Sequence, residues 1–105
     1  MSTIRPPSLL TTTDVGAALF DALGHEILQE KAAALGRAGS RAEEAVAKFK
    51  SVAADAPERP ALRKEAARAV HAWFIQRELC GLRRHADVIR ELGIPNEVLA
   101  RLGAS

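Results

Sequence analysis

The sequence has little of what disulfides, membrane spans and β-sheets are built from. It contains one cysteine, Cys80, so no intramolecular disulfide is possible, which is typical of proteins in a reducing cytoplasm. No apolar run is long enough for a signal peptide or a bilayer span, so we expect a cytoplasmic protein without membrane attachment. Aromatic residues make up 4% and tyrosine is absent, which disfavours a strand-rich fold.

What the sequence does contain favours helices. Its 105 residues are 48% hydrophobic and 27% charged, values that suit one small globular domain. Alanine is the commonest residue, and leucine, glutamate, arginine and lysine are also strong helix formers. The net charge of +2 comes from interleaved charges of both signs, so it is weak evidence for a nucleic-acid partner.

The sequence predicts an N-terminal arm followed by one helical domain. Residues 1–12 are rich in proline, serine and threonine and are predicted to be a flexible arm, and residues 13–105 are predicted to form the domain. From Phe20 to Val52 apolar residues recur at steps of three and four, which indicates a helix. The helix either bends near Gly36 and Gly39 or runs unbroken to about residue 54. We favour the unbroken helix, because its phase is not reset, with the glycines allowing close approach of another backbone.

A proline-containing segment separates this helix from a second one. Pro57 ends the first helix, and Pro60 suits the first turn of a helix that runs to about Cys80. Because the linker is short, we predict an antiparallel hairpin. The sequences RRHADVIREL and NEVLARL predict two short helices, with a Schellman ending at Gly93. The predicted fold class is therefore all-α, a long antiparallel helical hairpin with two short C-terminal helices.

The middle of helix 2, VHAWFI, is apolar on nearly every side. Such a helix needs more cover than one neighbouring helix gives, so we expect a homodimer in the form of a helical bundle. The second chain would help to bury Trp73, Phe74 and the alanine face of helix 1. The residues predicted for the dimer contact or the core are Phe20, Ile27, Val70, Trp73, Phe74 and Cys80.

Three groups of reactive side chains are candidates for chemistry, and each fails a requirement. Cys80 lies on the apolar stripe near the end of helix 2, where the helix dipole disfavours a thiolate. The sequence HEILQ resembles a zinc-protease helix but has Gln29 where the second histidine ligand is required. His71, Glu78 and His85 would share a face only if helix 2 continued, and no Glu-x-x-His pair occurs. We predict no catalytic, metal or cofactor-binding residues and no enzymatic activity.

A polar network is the interpretation we favour for the charges within the apolar stripes. Glu30 lies where the period of helix 1 expects an apolar residue, and Gln76 and Arg77 occupy similar positions on helix 2. A charge on a buried stripe must be paired. We therefore predict that Glu30, together with Glu26, meets Arg77 within the hairpin or across a dimer, which would fix the register of the helices.

A second hypothesis concerns the C-terminal segment 86–102, whose apolar spacing is similar to a helix-turn-helix with Gly93 at its turn. It would make the protein a DNA-associated regulator. Ile89 stands where that motif usually needs a small residue, and Glu97 would face the phosphates. We therefore favour a non-catalytic homodimeric scaffold or protein-interaction module with an unknown protein partner, and we keep the DNA-associated regulator as the alternative.

Four segments carry a family resemblance: RPPSLL, HEILQEKAAALGRAG, WFIQRELCGLR and GIPNEVLARLG. Together they resemble a family of short uncharacterised bacterial helical proteins, classed as a domain of unknown function. The resemblance spans most of the chain, and the linker is its least characteristic part. It implies a small helical cytoplasmic protein with no assigned activity, substrate or cofactor, and no functional residue can be transferred from it.

Overall fold

The computed structural model describes residues 15–104, and the regular structure in this range is entirely helical. In chain order the helices are α1 (Val15–Ser51), α2 (Arg59–Leu79), α3 (Ala86–Leu92) and α4 (Asn96–Leu99). The predicted all-α fold is confirmed, and so is the continuity of α1 through its glycines. The predicted arm, residues 1–12, lies outside the described residues.

The described residues fall into two units, residues 15–31 and residues 32–104. The described part of the first unit, residues 15–31, is the N-terminal part of α1. The second unit contains the remainder of α1 together with α2, α3 and α4, and it holds the core of the protein.

In the second unit, α2 packs antiparallel on α1. Gly39 of α1 lies beside Trp73 of α2, whereas Phe49, further along α1, lies beside Arg59 at the start of α2. Small alanine side chains at the contact let the two helices approach closely. The buried cluster consists of Ala42, Ala45, Val46, Phe49, Ala66, Ala67, Val70, Phe74, Ile94 and Val98.

The two glycines of α1 differ in their surroundings. A Cβ atom on Gly39 would lie 3.1 Å from the indole Nε1 of Trp73, so glycine provides the room that this ring occupies. A Cβ atom on Gly36 would meet nothing within 4 Å. The prediction that these glycines admit another backbone is therefore wrong, because the close neighbour of Gly39 is a side chain and Gly36 has none.

The end of α3 has the Schellman geometry that its sequence predicts. Gly93 has φ +67°, the amide of Ile94 donates to the carbonyl of Ile89 at 3.1 Å, and the amide of Gly93 donates to Arg90 at 3.2 Å. The ammonium of Lys50 on α1 donates to the carbonyl of Gly93 at 3.0 Å. This contact attaches the end of α3 to α1.

The short helices are shorter than their sequence patterns predicted. Residues 83–85 precede α3 rather than forming its first turn, because the chain leaves α2 through Gly81 in a left-handed conformation, φ +87°. Beyond Leu99 the amides of Arg101 and Leu102 bond three residues back, so the chain continues as tight turns instead of a helix.

A two-pronged ion pair holds α4 against the start of α2. The two terminal nitrogens of Arg59 donate to the two carboxylate oxygens of Glu97, each at 2.8 Å. The guanidinium carbon of Arg59 also lies 4.4 Å from the ring centroid of Phe49. Arg59 thus contacts α1 with one face and α4 with its edge.

This ion pair makes part of the stability depend on pH. Hydrogen bonds from Arg59, assisted by Arg63, hold the pKa of Glu97 below its usual range. The contribution of the Arg59–Glu97 pair to the free energy of unfolding is complete above the pKa of an unfolded glutamate, about 4.3. It is lost as the pH falls through the lower pKa that Glu97 has in the folded protein. We expect the stability difference between wild type and Glu97→Gln to shrink between about pH 6 and pH 2 in urea unfolding. A difference that grows on acidification would contradict this assignment.

Candidate functional site

The segment 73–85 contains a group of polar side chains that bond to one another at the end of α2. α2 ends at Leu79, and the turn at Gly81 brings His85 back beside the last turn of α2. The ring of His85 is stacked on Phe74, with centroids 4.1 Å apart and planes inclined by 4°. This return of the chain places His85 between two charged side chains of α2.

Those two side chains engage both ring nitrogens of His85. The Nε atom of Arg77 donates to Nδ1 at 3.0 Å, and because arginine only donates, Nδ1 is the acceptor. The ring proton therefore resides on Nε2, which donates to a carboxylate oxygen of Glu78 at 3.0 Å. Arg77 also donates to the carbonyl of Arg84 at 2.8 Å. This arrangement fastens the 81–85 loop to α2 and engages both ring nitrogens of His85.

The predicted polar network is divided between the two units. Gln76 and Arg77 are half-buried in the second unit, whereas Glu26 and Glu30 are exposed in the first. The sequence did not reveal His85 and the Arg84 carbonyl as partners of Arg77. The pairing of Arg77 with Glu26 or Glu30 stays a prediction.

Cys80 and His71 are the remaining cysteine and histidine of the second unit. Cys80 is a free, half-buried thiol that follows the last residue of α2. His71 is half-buried, and a Cβ atom on Gly103 would lie 3.7 Å from its Nε2. Within residues 15–104 no group of three or more histidine, cysteine or acidic side chains is placed to hold a metal ion.

The residues predicted for the dimer contact or the core fall into two groups. Val70 and Phe74 are buried in the core and Trp73 packs against it, whereas Phe20 and Ile27 are exposed. Phe74 and the alanines Ala38, Ala42 and Ala45 are buried within one chain, so a second chain is not needed to cover them. Trp73 and Cys80 are half-buried, and the expectation that a second chain covers Trp73 stays a prediction.

The first unit carries an exposed apolar surface, which we call the N-terminal apolar face. At 3.6 residues per turn its four side chains fall within roughly 100° of the helix circumference. The four side chains lie in the part of α1 that belongs to the first unit, before the buried residues of that helix begin at Ala38. The face consists of Leu19, Phe20, Leu23 and Ile27, which are 60%, 79%, 48% and 56% exposed.

A second exposed apolar group lies at the end of α2, and we call it the α2-end patch. Ile75 and Leu79 are one helical turn apart, Leu82 follows the turn at Gly81, and all three apolar side chains are exposed. Arg83 and Arg84 come next and are exposed as well. The α2-end patch, defined as Ile75, Leu79, Leu82, Arg83 and Arg84, is therefore apolar with a basic border.

The geometry does not favour the DNA-associated regulator. α4, which would have to read the bases, has four residues. Glu97 in its first turn is held by Arg59, and Val98 is fully buried in the core. A four-residue helix held by these contacts is shorter than the recognition helices that read a groove.

Comparison with known proteins identifies the family but no characterised relative. Residues 8–105 match the family of unknown function DUF6665, and the chain belongs to this family. The resemblance to a family of unknown function is thus confirmed. No curated protein and no solved structure matches the chain. Among the described helices, none combines the length and apolar character that crossing a membrane requires.

Proposed function

We propose that this protein is a non-catalytic homodimeric interaction module that associates through the N-terminal apolar face. One observation carries the proposal: four large apolar side chains are 48–79% exposed along nine residues of one helix. Contiguous apolar patches on soluble proteins commonly mark interaction sites. A helical segment of this length is also marginal in water unless its apolar side is packed.

Two further features support a role in binding rather than catalysis. The polar side chains at the end of α2 are bonded to one another and to the backbone, which is what a structural lock requires. The lone thiol of Cys80 suits the reducing cytoplasm in which we place the protein. We therefore assign the binding role of the protein to the N-terminal apolar face.

The energy scale of the contact is adequate for dimerisation. Burying a leucine, isoleucine or phenylalanine side chain fully contributes about 1.5–3 kcal/mol. Two copies bring eight such side chains, each already partly covered, against an association cost of about 4–15 kcal/mol. Weakening two positions of the face in each copy should therefore abolish the dimer.

The test replaces Leu23 and Ile27 together by aspartate. Wild type should sediment at twice the chain mass of 11.3 kDa, and the double variant at the chain mass, because four carboxylates would be desolvated in the contact. Sedimentation equilibrium over a range of concentrations measures this, with circular dichroism to verify the helix content of both proteins.

The matched control places the same charge on the opposite side of the same helix. Ala18→Asp with His25→Asp introduces two aspartates about half a turn away from the face, and this variant should remain dimeric. A wild type that stays at the chain mass throughout, or a dimer that survives Leu23→Asp and Ile27→Asp, would disprove the proposed function.

A further inference from the structure

We propose that the N-terminal apolar face of one copy docks on the α2-end patch of a second copy. This inference rests on the proposed function and names the surface that receives the face. Both surfaces are apolar and exposed, and they lie in different units of the chain. A single copy therefore offers one of each to its partner.

The charges around the two surfaces are complementary. Residues 15–31 contain three carboxylates and one lysine, a net formal charge of −2. Beside the α2-end patch lie two exposed arginines, Arg83 and Arg84, and one exposed glutamate, Glu78, a net formal charge of +1. Arg77 is not part of this border, because it lies on the opposite side of α2 and is bonded to His85. Two apolar surfaces of opposite charge attract each other, whereas face-on-face pairing would bring two acidic segments together.

The positions of the charges agree with this pairing. Glu26 and Glu30 lie along the side of the helix that carries Leu19 and Leu23, so both carboxylates border the N-terminal apolar face. On the receiving side, Arg83 and Arg84 directly follow Leu82. When apolar side chains meet apolar side chains, two carboxylates of one copy come near two guanidiniums of the other.

The arrangement closes on itself as a symmetric pair. A two-fold axis makes the face of each copy meet the patch of the other, so every contact forms twice. Each copy then has its N-terminal apolar face and its α2-end patch covered.

Charge reversal on either side tests the pairing. Arg83→Glu with Arg84→Glu puts acidic groups opposite Glu26 and Glu30, and Glu26→Lys with Glu30→Lys puts basic groups opposite the arginines. Because each reversed contact occurs twice in the closed pair, we expect at least about a tenfold weaker dimer for either variant alone. Sedimentation equilibrium at low ionic strength measures the dissociation constants.

The decisive measurement is an equimolar mixture of the two variants. Each contact in the mixed pair again joins opposite charges, so a heterodimer should form with nearly wild-type affinity, detectable by native mass spectrometry. The control is Asp55→Lys with Glu91→Lys, which changes the charge of two exposed acidic residues elsewhere by the same amount. This variant should dimerise as tightly as wild type. It should not pair preferentially with the Arg83→Glu, Arg84→Glu variant.

The outcomes separate this inference from the proposed function. If Leu23→Asp with Ile27→Asp abolishes the dimer but reversal at Arg83 and Arg84 does not weaken it, the face docks elsewhere and this inference is overturned while the proposed function stands. Failure of the mixed variants to form a heterodimer overturns it equally. A wild type without any self-association removes both proposals.

Discussion

Phe49→Ala should lower the free energy of unfolding by about 3–5 kcal/mol, the range for removing a fully buried phenylalanine. Phe49 is 2% exposed and lies in the core cluster between α1 and α2. The guanidinium of Arg59 packs on its ring, so the substitution also removes a contact that positions Arg59 for its ion pair with Glu97. Domains of this size are stabilised by only about 5–15 kcal/mol in total, so the loss is a large fraction.

The matched control is Phe20→Ala, the same substitution on the same helix. Phe20 is 79% exposed, so at concentrations low enough for the monomer its replacement should change the stability by no more than about 0.5 kcal/mol. Urea unfolding followed by circular dichroism measures both variants. Equal losses at the two positions would mean that Phe20 is covered within one chain, which would also remove the basis for the N-terminal apolar face.

The local elements of this fold were predictable because short stretches of sequence determine them. The unbroken apolar phase through Gly36 and Gly39 indicated one long helix, and α1 is continuous there. The Gly93–Ile94 pair indicated a Schellman ending, which the structure has. In each case the controlling interactions lie within a few residues of each other along the chain.

The extent of burial was not predictable from the same pattern. Periodicity tells which side of a helix is apolar, but it does not tell how much of the helix length a neighbour covers. Phe20 and Ile27 obey the same spacing as Ala42 and Phe49, yet the first two are exposed and the last two are buried. The sequence offered one signal for this difference, because the 37 residues of α1 exceed the 21 residues of α2.

The long-range polar contacts of the second unit were missed for a different reason. Arg59 and Glu97 are 38 residues apart, and their pairing depends on how the short helices fold back. The contact between Arg77 and His85 depends on the left-handed turn at Gly81. A glycine just beyond the end of a helix was a usable signal for that turn, but it does not specify which side chain returns.

Arg77→Ala should lower the free energy of unfolding by about 2 kcal/mol in the monomer. The substitution removes the hydrogen bonds to His85 and to the carbonyl of Arg84, and it removes a guanidinium that lies 5.8 Å from the ring centroid of Trp73. Without these contacts the 81–85 loop loses its attachment to α2. Thermal and urea unfolding at low protein concentration measure the effect, with the exposed Arg83→Ala as a control that should change little.

A pair of double-mutant cycles then identifies the partner of Arg77. The Arg77–His85 cycle should give a coupling of about 1 kcal/mol at every protein concentration, because that contact lies within one chain. An Arg77–Glu30 cycle should show coupling only at concentrations where the dimer forms, if the predicted network spans two copies. Coupling to Glu30 in the dilute monomer would instead place the network inside one chain. An unchanged melting temperature for Arg77→Ala would contradict the structural role assigned to this polar group. The other side-chain contact of the group, between His85 and Glu78, needs His85 to stay beside α2, and Arg77 holds it there.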